Sequence, residues 1–523
     1  MKYRGSKSPL FDALRRLICA AAQKSKEDSL LENRTYRSAE PELLSRRDFL
    51  RGAASAASLM AIGGLPFSFQ KRSTPKIVIV GGGIAGLNTA SYLKKSGVRA
   101  HIYEGSSRTG GRIFTAGDVL GPGLKTEFGG EFIDSTHLEM FALAKEFGLE
   151  FADRKSESEK SLIARAYYFG GKHHSEAEVI EAIKPFLERI RTDANSLPNA
   201  FDFRNPGNAV SLDNMSLAEY FHAIEISGWI KDLLEVAYVS EYGLELADQS
   251  ALNFITFVST DIADEFKIFG TSDERYKIKG GNSRITEELS DRLEDQISRS
   301  HKLHAVKSNG KGFTLTFQAE NTFKDIEADI VVMAIPFSVL RDVEMKIDLP
   351  RWKQKAINEL GYGTNTKIMT GFSKRLWREQ GYIGEVFSDQ NFQLAWDNSQ
   401  LQNTEAGGFT SFNGGRRGLE AGSGTATSQS DLFLKSLENV FPGISRTRNG
   451  RDQRFDWPGN PFTKGSYAAY KPGQWTSIHG AEGLPIGNLF FAGEHCSLEF
   501  QGFMNGGAES GKKAAGEILK LLD

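Results

Sequence analysis

The sequence predicts an α/β fold with parallel strands joined by crossover helices, and three observations carry the prediction. Ile77-Val78-Ile79-Val80 is a β-branched run that opens directly into Gly81-Gly82-Gly83-Ile84-Ala85-Gly86 and then an amphipathic stretch ending near Lys95. A second run, Arg99–Tyr103, ends on Glu104, 23 residues after Gly81. Far downstream, Asn488–Ala492 reads as another strand, opening into Gly493-Glu494-His495 and a closing helix. Strand, glycine turn, helix, strand and acid, in that order, describe a Rossmann-like nucleotide site.

The composition agrees with a folded chain. Charged residues are 25% and hydrophobic residues 40% of 523, which excludes a disordered chain, a collagen-like fibre and a multi-span membrane protein. Glycine, at 54 residues, exceeds the usual ~7%, as expected where backbone closely approaches a ligand. The net charge of −2 conceals +7 on residues 1–75 and −9 on the remainder. A basic head on an acidic body points to targeting and argues against nucleic-acid binding by the body. Cys19 and Cys496 are the two cysteines, so a body without its head forms no internal disulfide. No zinc pattern is present, and no metal is expected.

In the head, Arg46-Arg47 is followed by Phe49, Leu50 and Arg51 and then by an Ala/Gly-rich stretch without charge as far as Gln70. This resembles a twin-arginine export signal, and implies the export machinery as a partner and a periplasmic or exported location. No clear Ala-x-Ala site follows, so an uncleaved membrane tether stays open. Leu10, Phe11, Leu14, Leu17 and Ile18 have helical spacing within an unusually long leader; an over-called start codon explains that length equally well.

Each residue of the nucleotide site has a physical task. Gly81 makes the tight turn, Gly83 lets backbone approach a pyrophosphate, and Gly86 allows the helix to lie close to the strand. Ala85 sits in the same turn, and the helix N-terminus presents free N–H groups to phosphate. Glu104 can accept two hydrogen bonds from a ribose.

Arg108-Thr109-Gly110-Gly111-Arg112 resembles the second glycine motif of flavoproteins with a glutathione-reductase-type FAD domain. Gly493-Glu494 together with Gln501-Gly502-Phe503-Met504-Asn505-Gly506-Gly507 resembles the C-terminal FAD signature of the flavin-containing amine oxidases. The similarity covers roughly residues 76–523, and implies FAD as cofactor, with Gly129, Gly130, Glu494 and Met504 beside it. The FAD domain is then discontinuous: residues 75–139, 271–336 and 475–523, with a substrate domain of mixed α+β from 140–270 and 337–474. Residues 140–270 carry helical periodicity at Val179, Ile183, Phe186, Leu187 and Ile190. Lys367 is expected on a strand, and Gly407–Gly424 reads as a Gly/Ser-rich loop.

The resemblance also implies the reacting residues. Lys367 matches the lysine that holds a water at flavin N5, and Tyr467 and Phe503 match two walls of an aromatic cage. Ser466 stands where monoamine oxidases carry a flavin-bonded cysteine, so FAD is expected to be noncovalent. The implied reaction oxidises an amine to an imine, with O2 reduced to H2O2. In Glu127–Asp134 acids stand where L-amino-acid oxidases present an arginine, which favours an amine without an α-carboxylate, and Glu131 becomes a candidate partner for a substrate ammonium. An L-amino-acid oxidase, a flavin desaturase and a non-enzymatic FAD-binding protein stay open, as does a homodimer.

Overall fold

The computed structural model describes residues 75–262 and 267–523. The twin-arginine pair, the Ala/Gly-rich stretch, the leader and Cys19 lie outside the described residues. A five-stranded sheet runs in the order Leu489–Phe491, Ile330–Met333, Ile77–Val80, Ala100–Tyr103, Ile297–Ser298, every neighbour parallel. Its strands read as unbroken apolar runs because both faces are covered. Side chains alternate along each strand, so Ile77, Ile79, Ile102, Ile330 and Val332 face the helices Ile84–Lys95, Ser283–Arg292 and Met504–Leu522. Val78, Val80, Val331 and Met333 face the other way, against Leu303, Val306, Leu315 and Phe317. Those residues belong to a four-stranded sheet built from His301–Ser308, Phe313–Ala319, Thr322–Ala328 and Glu344–Lys346.

A seven-stranded, largely antiparallel sheet forms the other half of the molecule, in the order Arg448–Asp456, Thr366–Phe372, Gly407–Asn413, Leu394–Asp397, Tyr382–Ser388, Ile163–Phe169, Lys172–His174. The helix Ala426–Val440 covers one face through Phe433, Leu437 and Val440, packed with Phe372, Trp377 and Phe409. The periodicity at Val179–Ile190 becomes the helix Glu176–Ser196, started by a capping box in which Ser175 and Glu178 satisfy each other's backbone N–H groups. One hydrophobic cluster continues from Val78 and Leu315 to Ile183, Leu233 and Leu234, so the two sheets share a core.

Residues 140–270 also hold the strands Ile163–Phe169 and Lys172–His174, which form one edge of the large sheet. One expectation needs correction. Gly407–Gly424 is not a loop: Gly407–Asn413 is a central strand and Gly415–Ala421 a helix. The glycines that suggested a loop permit close packing instead. A Cβ at Gly407 would lie 2.6 Å from the Trp377 ring, and one at Gly408 would lie 2.2 Å from Asn398 Oδ1.

Candidate active site

The helices Ile84–Lys95 and Met504–Leu522 lie against each other through small residues. Thr89 Oγ1 donates to the Gly511 carbonyl at 3.0 Å and Asn88 Nδ2 to the Ala508 carbonyl at 2.8 Å. Both N-termini border a single cavity that encloses about 2160 Å³, open solvent at its mouth included. Every site residue expected from the sequence borders this cavity except Gly86, which packs behind it on Gly81.

The cofactor end is built from backbone. Gly81 turns at φ +106°, and a Cβ there would stand 2.6 Å from the Ala334 carbonyl, so a side chain is excluded. Glu104 is fixed by N–H donation from Gly82 at 2.6 Å and from Ser106 at 2.7 Å. Arg112 donates to Glu494 Oε1 at 2.8 Å and to the Ser466 carbonyl at 2.9 Å, and Gly502 N–H donates to Glu494 Oε2 at 2.7 Å. Burial opposes ionisation of Glu494, but Arg112 and the Gly502 N–H outweigh it and hold the carboxyl below its ordinary value. Two helix N-termini, glycine-lined backbone and anchored acids at Glu104 and Glu494 suit the phosphates and hydroxyls of FAD.

At the centre lies a buried charge triad. Glu131 accepts from Lys277 Nζ on one oxygen at 2.8 Å and from Lys367 Nζ on the other at 2.9 Å. Lys367, on the strand Thr366–Phe372, also donates to the carbonyls of Glu127 at 3.1 Å and Gly129 at 2.9 Å. An ammonium has three donors, and all three of these have protein acceptors. A water at flavin N5 would have to share one of them; the lysine's charge remains available at the cavity wall. Burial pushes the Glu131 carboxyl up, but the two ammonium groups prevail and hold it at about 2. Each Glu131 oxygen already accepts from a lysine, so a substrate ammonium expected there would have to share the carboxylate with Lys277 and Lys367.

The substrate end carries the aromatic residues and different acids. Tyr467 and Phe503 both border the cavity, and the Tyr467 hydroxyl donates to the Glu241 carbonyl at 2.6 Å. Trp396, Phe412 and Phe132 extend the apolar wall. Asp134, Glu241 and Glu274 also line it. Of these, the sequence pointed only to the stretch containing Asp134. Glu274 sits at φ +42°, a backbone state no sequence pattern announces, and Glu241 ends a helix whose periodicity reports only its core face. Lys277 was also missed; the signal available was its place in the strand Tyr276–Ile278, just before Gly280-Gly281. The cations bordering the cavity either have protein partners or stand at the cofactor end. Lys367 and Arg112 are paired as above, Arg108 donates to the carbonyls of Gly111 and Thr109, and His301 and Lys302 adjoin Glu104 at the cofactor end.

The triad makes a testable demand. Glu131→Gln leaves two buried ammonium groups facing a neutral amide, and stability is expected to fall by about 3–5 kcal/mol. In the native protein the folded-state value lies below the ordinary 4.5, so the stabilisation from Glu131 is complete above that value and is lost as pH falls through about 2. Denaturant titration of both proteins between pH 2 and 8 checks this; equal midpoints throughout would show that the Glu131 charge carries no net energy.

Comparison with known proteins places this geometry. The model of the flavin containing amine oxidoreductase family matches residues 84–519. Pseudooxynicotine dehydrogenase of Pseudomonas sp. is 25% identical over 92% of this chain and 96% of its own length. A flavin-containing amine oxidase of Danio rerio is 24% identical, covering 85% of each. Among solved structures, cyclohexylamine oxidase from Brevibacterium oxydans superposes with a TM-score of 0.73 at 20% identity, over 86% of this chain and 99% of that one. Putrescine oxidase bound to putrescine gives 0.72 at 18% identity, over 85% and 99%. The chain belongs to the flavin-containing amine oxidoreductase family, with FAD as its cofactor.

Proposed function

We propose that this protein oxidises a cationic amine lacking an α-carboxylate to an imine, which water hydrolyses to a carbonyl compound and ammonia or a smaller amine. FAD supplies the two-electron acceptor when bound, and O2 the second acceptor, yielding H2O2. The observation that carries the substrate class is the distribution of charge. Asp134, Glu241 and Glu274 border the substrate end, while the bordering cations are paired or stand at the cofactor end. An amino-acid carboxylate would enter there against like charge, which disfavours an L-amino-acid oxidase.

The protein's own contributions follow from placement. Tyr467, Phe503, Trp396 and Phe412 exclude water and guide an amine along aromatic faces. Tyr467 is fixed by its hydroxyl bond to the Glu241 carbonyl. Lys367 contributes a fixed positive charge suited to the negative charge that builds up when oxygen is reduced. Noncovalent FAD is supported by Ser466, whose hydroxyl donates to Asn365 Oδ1 at 2.6 Å and offers no thiol. Export is supported by Arg46-Arg47 with Phe49 and Leu50.

A peroxide-coupled screen of monoamines, diamines and amino acids tests the reading, with an artificial electron acceptor run in parallel without oxygen. Turnover of amines with stoichiometric H2O2 is expected. Dye reduction without peroxide would replace O2 by another acceptor, and turnover confined to α-amino acids would overturn the substrate class. Acid precipitation should release the FAD into solution; flavin retained in the pellet would refute noncovalent binding. Changing Arg46 and Arg47 to Lys should retain activity in the cytoplasm, and unchanged export would remove the signal assignment.

A further inference from the structure

We infer that Glu274 is the carboxylate that receives the substrate's ammonium group and takes a proton from its nitrogen. The inference rests on the amine reading above and goes beyond it. A typical amine reaches a neutral solution as an ammonium, whose nitrogen lone pair is held in an N–H bond. Forming C=N as hydride leaves the α-carbon requires that lone pair, so one proton must depart first. A base within reach of the substrate end is therefore needed.

The carboxylates bordering the cavity differ in what they have left to offer. Glu131 has each oxygen engaged by an ammonium, Lys277 on one and Lys367 on the other. Glu494 is held by Arg112 and by the Gly502 N–H. Asp134 accepts from the Ser272 hydroxyl on one oxygen and from the Glu274 N–H on the other, both at 2.8 Å, and acts as a scaffold. Glu241 lends its backbone carbonyl to Tyr467, and its charge acts on Glu274 from the C-terminal end of the helix Trp229–Tyr242. Glu274 has its backbone anchored on both sides, by that N–H to Asp134 and by Arg154, which donates to its carbonyl at 2.8 Å. Its carboxyl oxygens accept no hydrogen bond from the described residues, and it borders the same cavity as Tyr467 and Phe503. A fixed backbone and an unengaged carboxyl are what a substrate-facing base requires.

The surroundings give this group a reason to bind a proton. Burial is the largest influence. Glu385 on the strand Tyr382–Ser388, Glu241 on the helix Trp229–Tyr242, and Asp134 add negative charge, against which Arg154 is the opposing cation. Asp273 lies next to it in sequence, with its carboxylate on Ser135. Arg154 is itself shared among the Glu274 carbonyl, Gln400 and Glu385, and it stacks on Phe132 at 4.2 Å. These influences together raise the Glu274 carboxyl well above its ordinary value, toward the range of a general base at neutral pH. In the proton transfer the substrate N–H bond breaks, a carboxyl O–H bond forms, and the nitrogen keeps the electron pair.

The test uses the FAD-loaded protein, as wild type, Glu274→Gln and Glu274→Asp. 2-Phenyl-2-propylamine has no α-hydrogen and reports binding alone, through the flavin spectrum; benzylamine reports anaerobic flavin reduction by stopped flow. Wild type should bind the first probe with an affinity that rises with pH and then levels off below the pKa of the amine. Glu274→Gln should lose that plateau, its affinity rising until the amine itself is neutral. Its reduction by benzylamine should be slower by roughly 10²-fold at pH 8 and converge on wild type near pH 10. Glu274→Asp should keep the plateau at a lower rate. Identical pH profiles in wild type and Glu274→Gln would overturn the inference. If Glu274→Gln fails to hold FAD, a Glu274→Asp profile without a plateau does the same. Wild type that binds neither amine at any pH removes the amine reading itself.

Discussion

The seating of Glu131 between Lys277 and Lys367 is the constraint on which the rest of the site depends. Lys367 belongs to the seven-stranded sheet, Lys277 to the strand Tyr276–Ile278, and Glu131 to the segment that runs along the cavity floor. Three separate pieces of chain therefore meet at one carboxylate. Isolated, each ion would bear a desolvation cost of several kcal/mol. Together, Glu131 offsets one of the two positive charges, and the carbonyls of Glu127, Gly129 and Asn398 take three further donors. Such a junction gains little over a packed apolar one, yet it tolerates little displacement, because any partner that moves leaves a buried charge behind.

That arrangement also decides what the cavity can recognise. Lysines beside such a cavity would ordinarily attract carboxylates, but Lys367 has all three donors on protein oxygens and Lys277 has two of its donors so placed. The same holds for Arg112 on Glu494 and Arg108 on backbone carbonyls. Alongside them the cavity wall carries aromatic rings and the carboxyls of Asp134, Glu241 and Glu274. The proposed preference for an amine rests on which charges already have partners, and a count of charged residues along the wall would miss it.

The cofactor half was legible because its information is local. Gly81 through Glu104 specify turn, helix and ribose acid within 24 residues, and the C-terminal motif does so again from Gly493 to Gly507. The strands Ile330–Met333 and Leu489–Phe491 announce themselves by continuous apolar runs, since both faces of that sheet are covered. The reacting half was less legible because its logic is long-range. Lys367 and Glu131 could be named by resemblance, but they lie 236 residues apart, and Lys277 lies 146 from Glu131. Nothing in the vicinity of either says that the acid is consumed. Gly407 and Gly408 misled for a related reason: glycine signals a turn only when nothing packs where its side chain would be, and here Trp377 and Asn398 do. Glu274 was silent because its role comes from a left-handed backbone held by Asp134 and Arg154.

The cavity is electrically polarised along its length, and the topology explains why. In a parallel sheet with crossover helices, helix N-termini gather at the carboxyl ends of the strands. The chain returns to that edge twice, so Ile84–Lys95 and Met504–Leu522 bring two positive dipole ends to one wall. An anionic pyrophosphate is favoured there and a cation is not. The opposite end is supplied by the antiparallel sheet and by the helix Trp229–Tyr242, whose C-terminus brings a negative dipole end alongside Glu241. Asp134 and Glu274 add to the same sign. Between the two ends, Glu131 offsets one of the two lysine charges, and the remaining positive charge stands where Lys367 borders the cavity. The polarity along the cavity therefore runs from the positive dipole ends and Lys367 to the carboxyls of Asp134, Glu241 and Glu274, which is the direction the proposed cationic amine requires.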